Sequence, residues 1–136
     1  MRRLIVIGLI AMTILVILIG LYLVFASPQL NVDGIRNRIA DVVSCPPGKI
    51  SYLAGIPHRE CVAIFQVDCD VSLANFVGIS ELSGPNEYER MIRYYAGGME
   101  VAISMVDEVR TYRGDTFTIL YFKDGERRLI MYLGGT

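Results

Sequence analysis

Three cysteines, one histidine and an Asp-Cys-Asp run are the residues of this chain best suited to chemistry. His58 is the only histidine, so a His-assisted nucleophile or a His-rich metal site would have to be built on it. It lies between Pro57 and Arg59 in a turn-prone stretch, where a solvated imidazole is the expected state. Asp68-Cys69-Asp70 sets two carboxylates near each other, as in a calcium ligand pair. Calcium takes about six to eight oxygens, and the neighbouring residues offer few, so a strand end followed by a helix cap at Asp70 is the better reading. Nucleophile elbow, phosphate-binding loop and zinc-ligand spacing are all missing from the sequence. Arg110, Tyr112, Arg113, Arg127 and Arg128 form a basic and aromatic group, but Asp107, Glu108, Asp115, Asp124 and Glu126 are interleaved with them. That mixture reads as a solvated face.

The cysteines allow one disulfide and leave one thiol over. Cys61 and Cys69 fall on one extended segment, too far apart at about 3.3 Å per residue to bond to each other. A hairpin centred near residue 57 brings Cys45 opposite Cys69, which makes those two the expected pair and Cys61 an inward core residue. Pro46 and Pro47 are the weak point of that register, because they can turn the chain away before Cys45 arrives. A redox role would call for a close C-x-x-C pair, and none exists. Tyr88, Tyr95, Phe117 and Tyr132 are the candidate lining of a pocket between helices and sheet, although such aromatics more often belong to a core. No cofactor or metal is implied.

These residues must be positioned by what surrounds them, and the chain begins with its most decisive segment. Residues 4–25 are uncharged and built almost entirely of Leu, Ile and Val, broken by Gly8, Ala11, Thr13, Gly20 and the interfacial-type Tyr22. As a helix this run reaches roughly 33 Å, enough for a hydrocarbon core about 30 Å thick. Arg2 and Arg3 precede it directly, whereas the next basic residues, Arg36 and Arg38, lie well downstream. The positive-inside bias then holds the short amino terminus in the cytoplasm and sends the carboxyl-terminal part across. A signal peptide cut after Ala26 is the competing reading, but its apolar region would run only about 7–15 residues. The expected organisation is a transmembrane anchor over 1–26 and one extracytoplasmic domain over 27–136. That domain holds eleven Lys and Arg against fourteen Asp and Glu, a net charge of −3, which disfavours nucleic acid and anionic lipid as partners.

Periodicity gives the domain an α+β pattern with a mainly antiparallel sheet of about five strands and two or three helices. Asp33 is the expected cap of a helix ending near Val43, with Ile35, Ile39 and Val42 or Val43 on one face. Residues 49–53 and 60–68 read as strands, the second apolar on both faces and therefore interior. Asp70 is expected to cap a helix carrying Leu73, Phe76, Val77 and Ile79. Pro85 opens another, with Tyr88, Met91, Ile92 and Tyr95 at helical spacing, a Glu89–Arg93 pair and a Gly97-Gly98 stop. Residues 99–105 alternate like a strand, and Asp107-Glu108 reads as a turn or bulge. Asp124-Gly125 between 116–122 and 127–133 predicts a hairpin with a type I′ turn that sets Tyr121 opposite Arg128, Ile119 opposite Ile130 and Phe117 opposite Tyr132. The function these features suggest is a single-pass, non-catalytic interaction or assembly module of the cell envelope. It would contact the bilayer through 4–25 and dock a second envelope protein or another copy of itself. A ligand-binding or enzymatic domain built around the four aromatics is the alternative.

Overall fold

Strands that are apolar on both faces must lie between two covering layers, and three such strands form the centre of this protein. A computed structural model describes residues 1–26, 30–56, 61–78 and 85–134. Its elements are α1 (Arg2–Ala26), α2 (Val32–Val43), a 3-10 turn (Pro47–Lys49), β1 (Ile50–Ile56), β2 (Cys61–Val67), β3 (Val77–Gly78), α3 (Pro85–Gly98), β4 (Asp107–Arg113), β5 (Phe117–Asp124) and β6 (Arg127–Gly134). The architecture is α+β. The six strands pair antiparallel in the order β1-β2-β6-β5-β4-β3, one strand more than the periodicity suggests.

Alternation sorts the core into two layers. Cys61, Ala63 and Phe65 of β2 join Ile119, Tyr121, Ile130 and Tyr132 under α2, whose Ile35, Ile39 and Val43 are fully buried. Val62 and Ile64 join Leu120, Phe122, Leu129 and Met131 on the opposite face, under Ile92 and Ala96 of α3. Helix α2 is capped by Asn31, whose side chain accepts from the Gly34 amide at 3.0 Å, and Asp33 instead pairs with Arg36 in the first turn. Its other end closes on Ser44 in the left-handed region at φ 55°. Helix α3 follows its sequence pattern, including the Glu89–Arg93 pair at 3.1 Å on the exposed side.

The structure corrects the sequence in three further places. Residues 70–76 form no helix: Ser72 donates to the Val43 carbonyl, Arg128 reaches the Cys69 carbonyl and Asp70, and the chain then enters β3. These tethers hold the stretch extended, and within it only the Phe76 amide turns back, onto the Leu73 carbonyl at 3.0 Å, among the described backbone bonds. The rest of that expected helix, residues 79–84, lies outside the described residues, as does the 57–60 turn with His58. Residues 99–105 form no strand either. Asp124 accepts from the Ser104 and Met105 amides, and Arg93 and Arg127 donate to the Ala102, Ile103 and Ser104 carbonyls, so side chains take the bonds a ladder would have used.

The third correction is a slip of register. In the β5–β6 hairpin Tyr121 faces Ile130, Ile119 faces Tyr132 and Phe117 faces Gly134, two residues away from the expected pairing. Asp124 pairs with Arg127 inside the ladder, leaving Gly125-Glu126 as the two-residue loop. Gly125 alone of these has positive φ, at 63°, the pattern of a type II′ turn. A slip of two preserves the faces, so the expected buried residues stay buried. Strand β4 carries the Asp107-Glu108 irregularity as a bulge, with Glu108 at φ 53°.

Candidate functional site

Cys45 and Cys69 are bonded, with their Cα atoms 6.3 Å apart, and Cys61 is free and buried. The pair matches the expectation, but the geometry differs. The β1–β2 register sets Ile50 against Val67 and Tyr52 against Phe65, which would place residue 48 opposite Cys69. Cys45 instead sits in the loop after α2, and the 3-10 turn at Pro47–Lys49 carries the chain from it to β1. The prolines redirect the chain and the bond still closes. Cys61 donates to the Gly134 carbonyl, and burial pushes its thiol above the usual range despite Arg38 nearby. An inward, protonated thiol is a packing residue rather than a nucleophile.

The four candidate pocket aromatics are not brought together. Phe117 and Tyr132 stack at 5.4 Å in the α2 layer, while Tyr88 and Tyr95 pack in the α3 layer on the far side of the sheet. The first pair belongs to a row across neighbouring strands: Phe76 meets Tyr112 at 5.7 Å, Tyr112 meets Phe117 at 6.1 Å, and Arg38 lies 5.8 Å over Phe117. Arg38 also donates to the Tyr132 hydroxyl at 2.7 Å. The row ties α2 to the sheet through ring contacts and one cation. Tyr88 alone borders an open groove of about 630 Å³, with Glu87, Met91, Arg113, Thr118 and Leu133. Among the described residues no three His, Cys, Asp or Glu side chains converge as a metal site would require.

What the fold does leave exposed is an edge. Among the described residues β1 has β2 on one side and no strand on the other. It is seven residues long and carries no charge and no proline, the usual devices that blunt an edge. Ser51, Tyr52 and Leu53 are exposed. The opposite edge is different, because β3 has two residues and adjoining β4 exposes Asp107, Glu108, Arg110 and Arg113. A bulge at Leu53 shifts the pairing between Tyr52 and Ala54, so Tyr52 and Gly55 share the α2 face while Ser51, Ala54 and Ile56 share the other. Beside this edge lies an open depression of about 600 Å³ between α2 and the 3-10 turn, bordered by Asp33, Arg36, Asn37, Gly48, Ser51 and Tyr52. Arg36 reaches across it to the Ile50 carbonyl at 3.0 Å. Which strand is outermost depends on long-range order, and the one local signal for it is the charge-free stretch from 50 to 56.

Helix α1 is long and apolar enough to cross a membrane, and none of it is buried against the rest of the protein. Arg2 and Arg3 stand at its start, and Tyr22, one turn from its end, is exposed. No protein-family model matches this chain, and neither a curated protein nor a solved structure matches it.

Proposed function

We propose that this chain is a single-pass membrane protein whose α+β domain lies outside the cytoplasm and acts as a non-catalytic docking module. The domain receives an extended strand on the β1 edge. The observation that carries this reading is the edge itself: an uncharged strand, exposed at Ser51, Tyr52 and Leu53, with no strand beside it among the described residues. Strand addition draws affinity from main-chain hydrogen bonds and selectivity from alternate side chains, and the depression beside Tyr52 offers room for the latter. The anchor reading is supported by α1 and by Arg2 and Arg3 before it. The Cys45–Cys69 bond supports an oxidising compartment.

Two measurements on the full-length protein test it. A reporter fused after Thr136 should report the non-cytoplasmic side, and the intact chain should stay with membranes through a carbonate wash. A soluble product beginning at residue 27 would replace the anchor with a cleaved signal. A photo-crosslinking residue at Leu53 should form adducts in native membranes, whereas one at Tyr94, which is still more exposed on α3, should not. Adducts at Tyr94 alone would move the docking surface away from β1.

A further inference from the structure

Resting on the reading of α1 as an uncleaved anchor, we infer that a short tether stands the domain on its bilayer with one end of the sheet against the lipid headgroups. That end carries the β4–β5 connection, and the disulfide end is turned outward. Antiparallel pairing gathers Ile56, Cys61, Gly134, Phe117 and Arg113 at the first end, and Ile50, Val67, Asp124 and Arg127 at the second. The Cys45–Cys69 bond lies beyond the second end, where the Asp68 amide donates to the Lys49 carbonyl at 2.8 Å.

Chain length selects between the two ends. Leu30 Cδ2 occupies the place a Cβ on Gly55 would take, so the chain entering α2 is pinned to β1 at its first end. Ala26, the last residue of α1, precedes Leu30 by four positions. Whatever their path, four residues span at most about 14 Å. Along β1 from Gly55 to Ile50 the distance is about 17 Å. A tether shorter than the strand cannot set the second end on the surface from which α1 emerges. Two other arrangements would lay a side of the domain on the membrane. On the α2 side, Asp33, Asn37 and Asp41 are exposed at successive turns and would lose hydration. On the β1 side, the unpaired edge would lose its own hydration and be closed to a docking strand.

The surface presented to the headgroups is polar and mixed. Arg113, Asp115 and Thr116 are exposed there, and the Gly114 amide donates to the Phe117 carbonyl at 2.8 Å to close the turn. One cation beside one carboxylate gives little net attraction to anionic lipid, in keeping with the acidic balance of the domain. The tether, rather than electrostatic adhesion, sets the orientation.

The test uses the full-length chain in lipid nanodiscs whose headgroups carry a gadolinium chelate. Thr116→Cys, Ser51→Cys and Glu126→Cys, all at exposed positions, are each alkylated with a fluorinated label, while buried Cys61 stays unreacted. Position 116 lies at the first end, and 51 and 126 lie at the second. Strand β5 separates 116 from 126 by roughly 25 Å, so relaxation enhancement, which falls steeply with distance, should be about tenfold or more stronger at 116 than at either other site. Inserting a flexible Gly-Ser linker of about twenty residues after Ala26 should abolish that contrast. Equal enhancement at 116 and 126 would overturn the inference and leave the anchor standing. Enhancement at 51 matching that at 116 would lay the β1 edge on the membrane instead. A contrast that survives the long linker would assign the orientation to lipid adhesion and overturn the tether. A chain that leaves the nanodiscs, with no enhancement at any position, would overturn the anchor as well.

Discussion

Replacing Asp124 with Ala should cost this domain far more than a typical turn substitution. Asp124 lies beside the β5–β6 turn, where carboxylates are ordinarily solvated, yet it is only 7 % exposed. Its carboxylate accepts from the Met105 amide at 2.9 Å, the Ser104 amide at 3.2 Å and the Arg127 guanidinium at 2.6 Å. The arginine is 41 % exposed, so solvent screens much of that pair and little net stability is assigned to it. The two backbone bonds to a charged acceptor remain, each worth roughly 1.5 kcal/mol at the lower end of the charged range. Their loss also frees the segment that Asp124 holds against β5. The expected destabilisation is about 2–3 kcal/mol, or roughly 10–20 °C in the melting temperature of a domain this size. Thermal denaturation of the full-length protein in detergent measures it, with exposed Glu126→Ala in the same turn as the control.

Acidity gives the same residue a second test. The Arg127 hydrogen bond first, then the Met105 and Ser104 amides, hold the Asp124 carboxyl below its usual range. As pH falls the unfolded chain therefore takes up this proton before the folded one does. The contribution is fully present above the ordinary aspartate value of about 4 and disappears as pH drops through the lower folded value. Wild type and Asp124→Ala should differ most near neutrality and converge in acid. A variant within about 0.5 kcal/mol of wild type, or a gap that widens on acidification, would refute the clamp.

Three further outcomes are expected. Gly125→Val should cost about 1–2 kcal/mol through backbone conformation alone, because a Cβ there meets nothing within 4 Å. Gly134→Ala should cost more, since its Cβ would come within 2.7 Å of the Phe117 backbone, and denaturation midpoints rank the two. Cys45→Ser with Cys69→Ser should lose roughly 3 kcal/mol, while Cys61 should resist alkylation until the chain unfolds; equal stability, or rapid native labelling of Cys61, would contradict this. Phe65→Ala, at a fully buried position under α2, should cost roughly 3–5 kcal/mol by the same denaturation.

The parts of this fold legible in the sequence are those decided by period and burial. Strand β2 reads as interior because Cys61, Ala63 and Phe65 alternate with Val62 and Ile64, all apolar. Helix α3 reads from Tyr88, Met91, Ile92 and Tyr95. The parts that escaped are set by distant side chains. Residues 99–105 have a strand's alternation, but Asp124, Arg93 and Arg127 claim their backbone groups from other elements. The hairpin register slipped because Asp124 reads locally as a turn residue and is used as a clamp. Strand β4 was hidden by exposed charges and its bulge at Glu108, the marks of a strand near an edge. The disulfide partners were found although their register was off, because a bond between loop residues tolerates that error. The β1 edge was the least legible feature, since strand order is a property of the whole sheet.

Amide hydrogen exchange on the full-length protein, compared between native membranes and dilute detergent, tests edge docking most directly. The expected result is extra protection in membranes confined to 50–56, with the already paired amides of β2, β5 and β6 unchanged. Identical protection of β1 in both settings, or new protection on α3 or β4 instead, would contradict it.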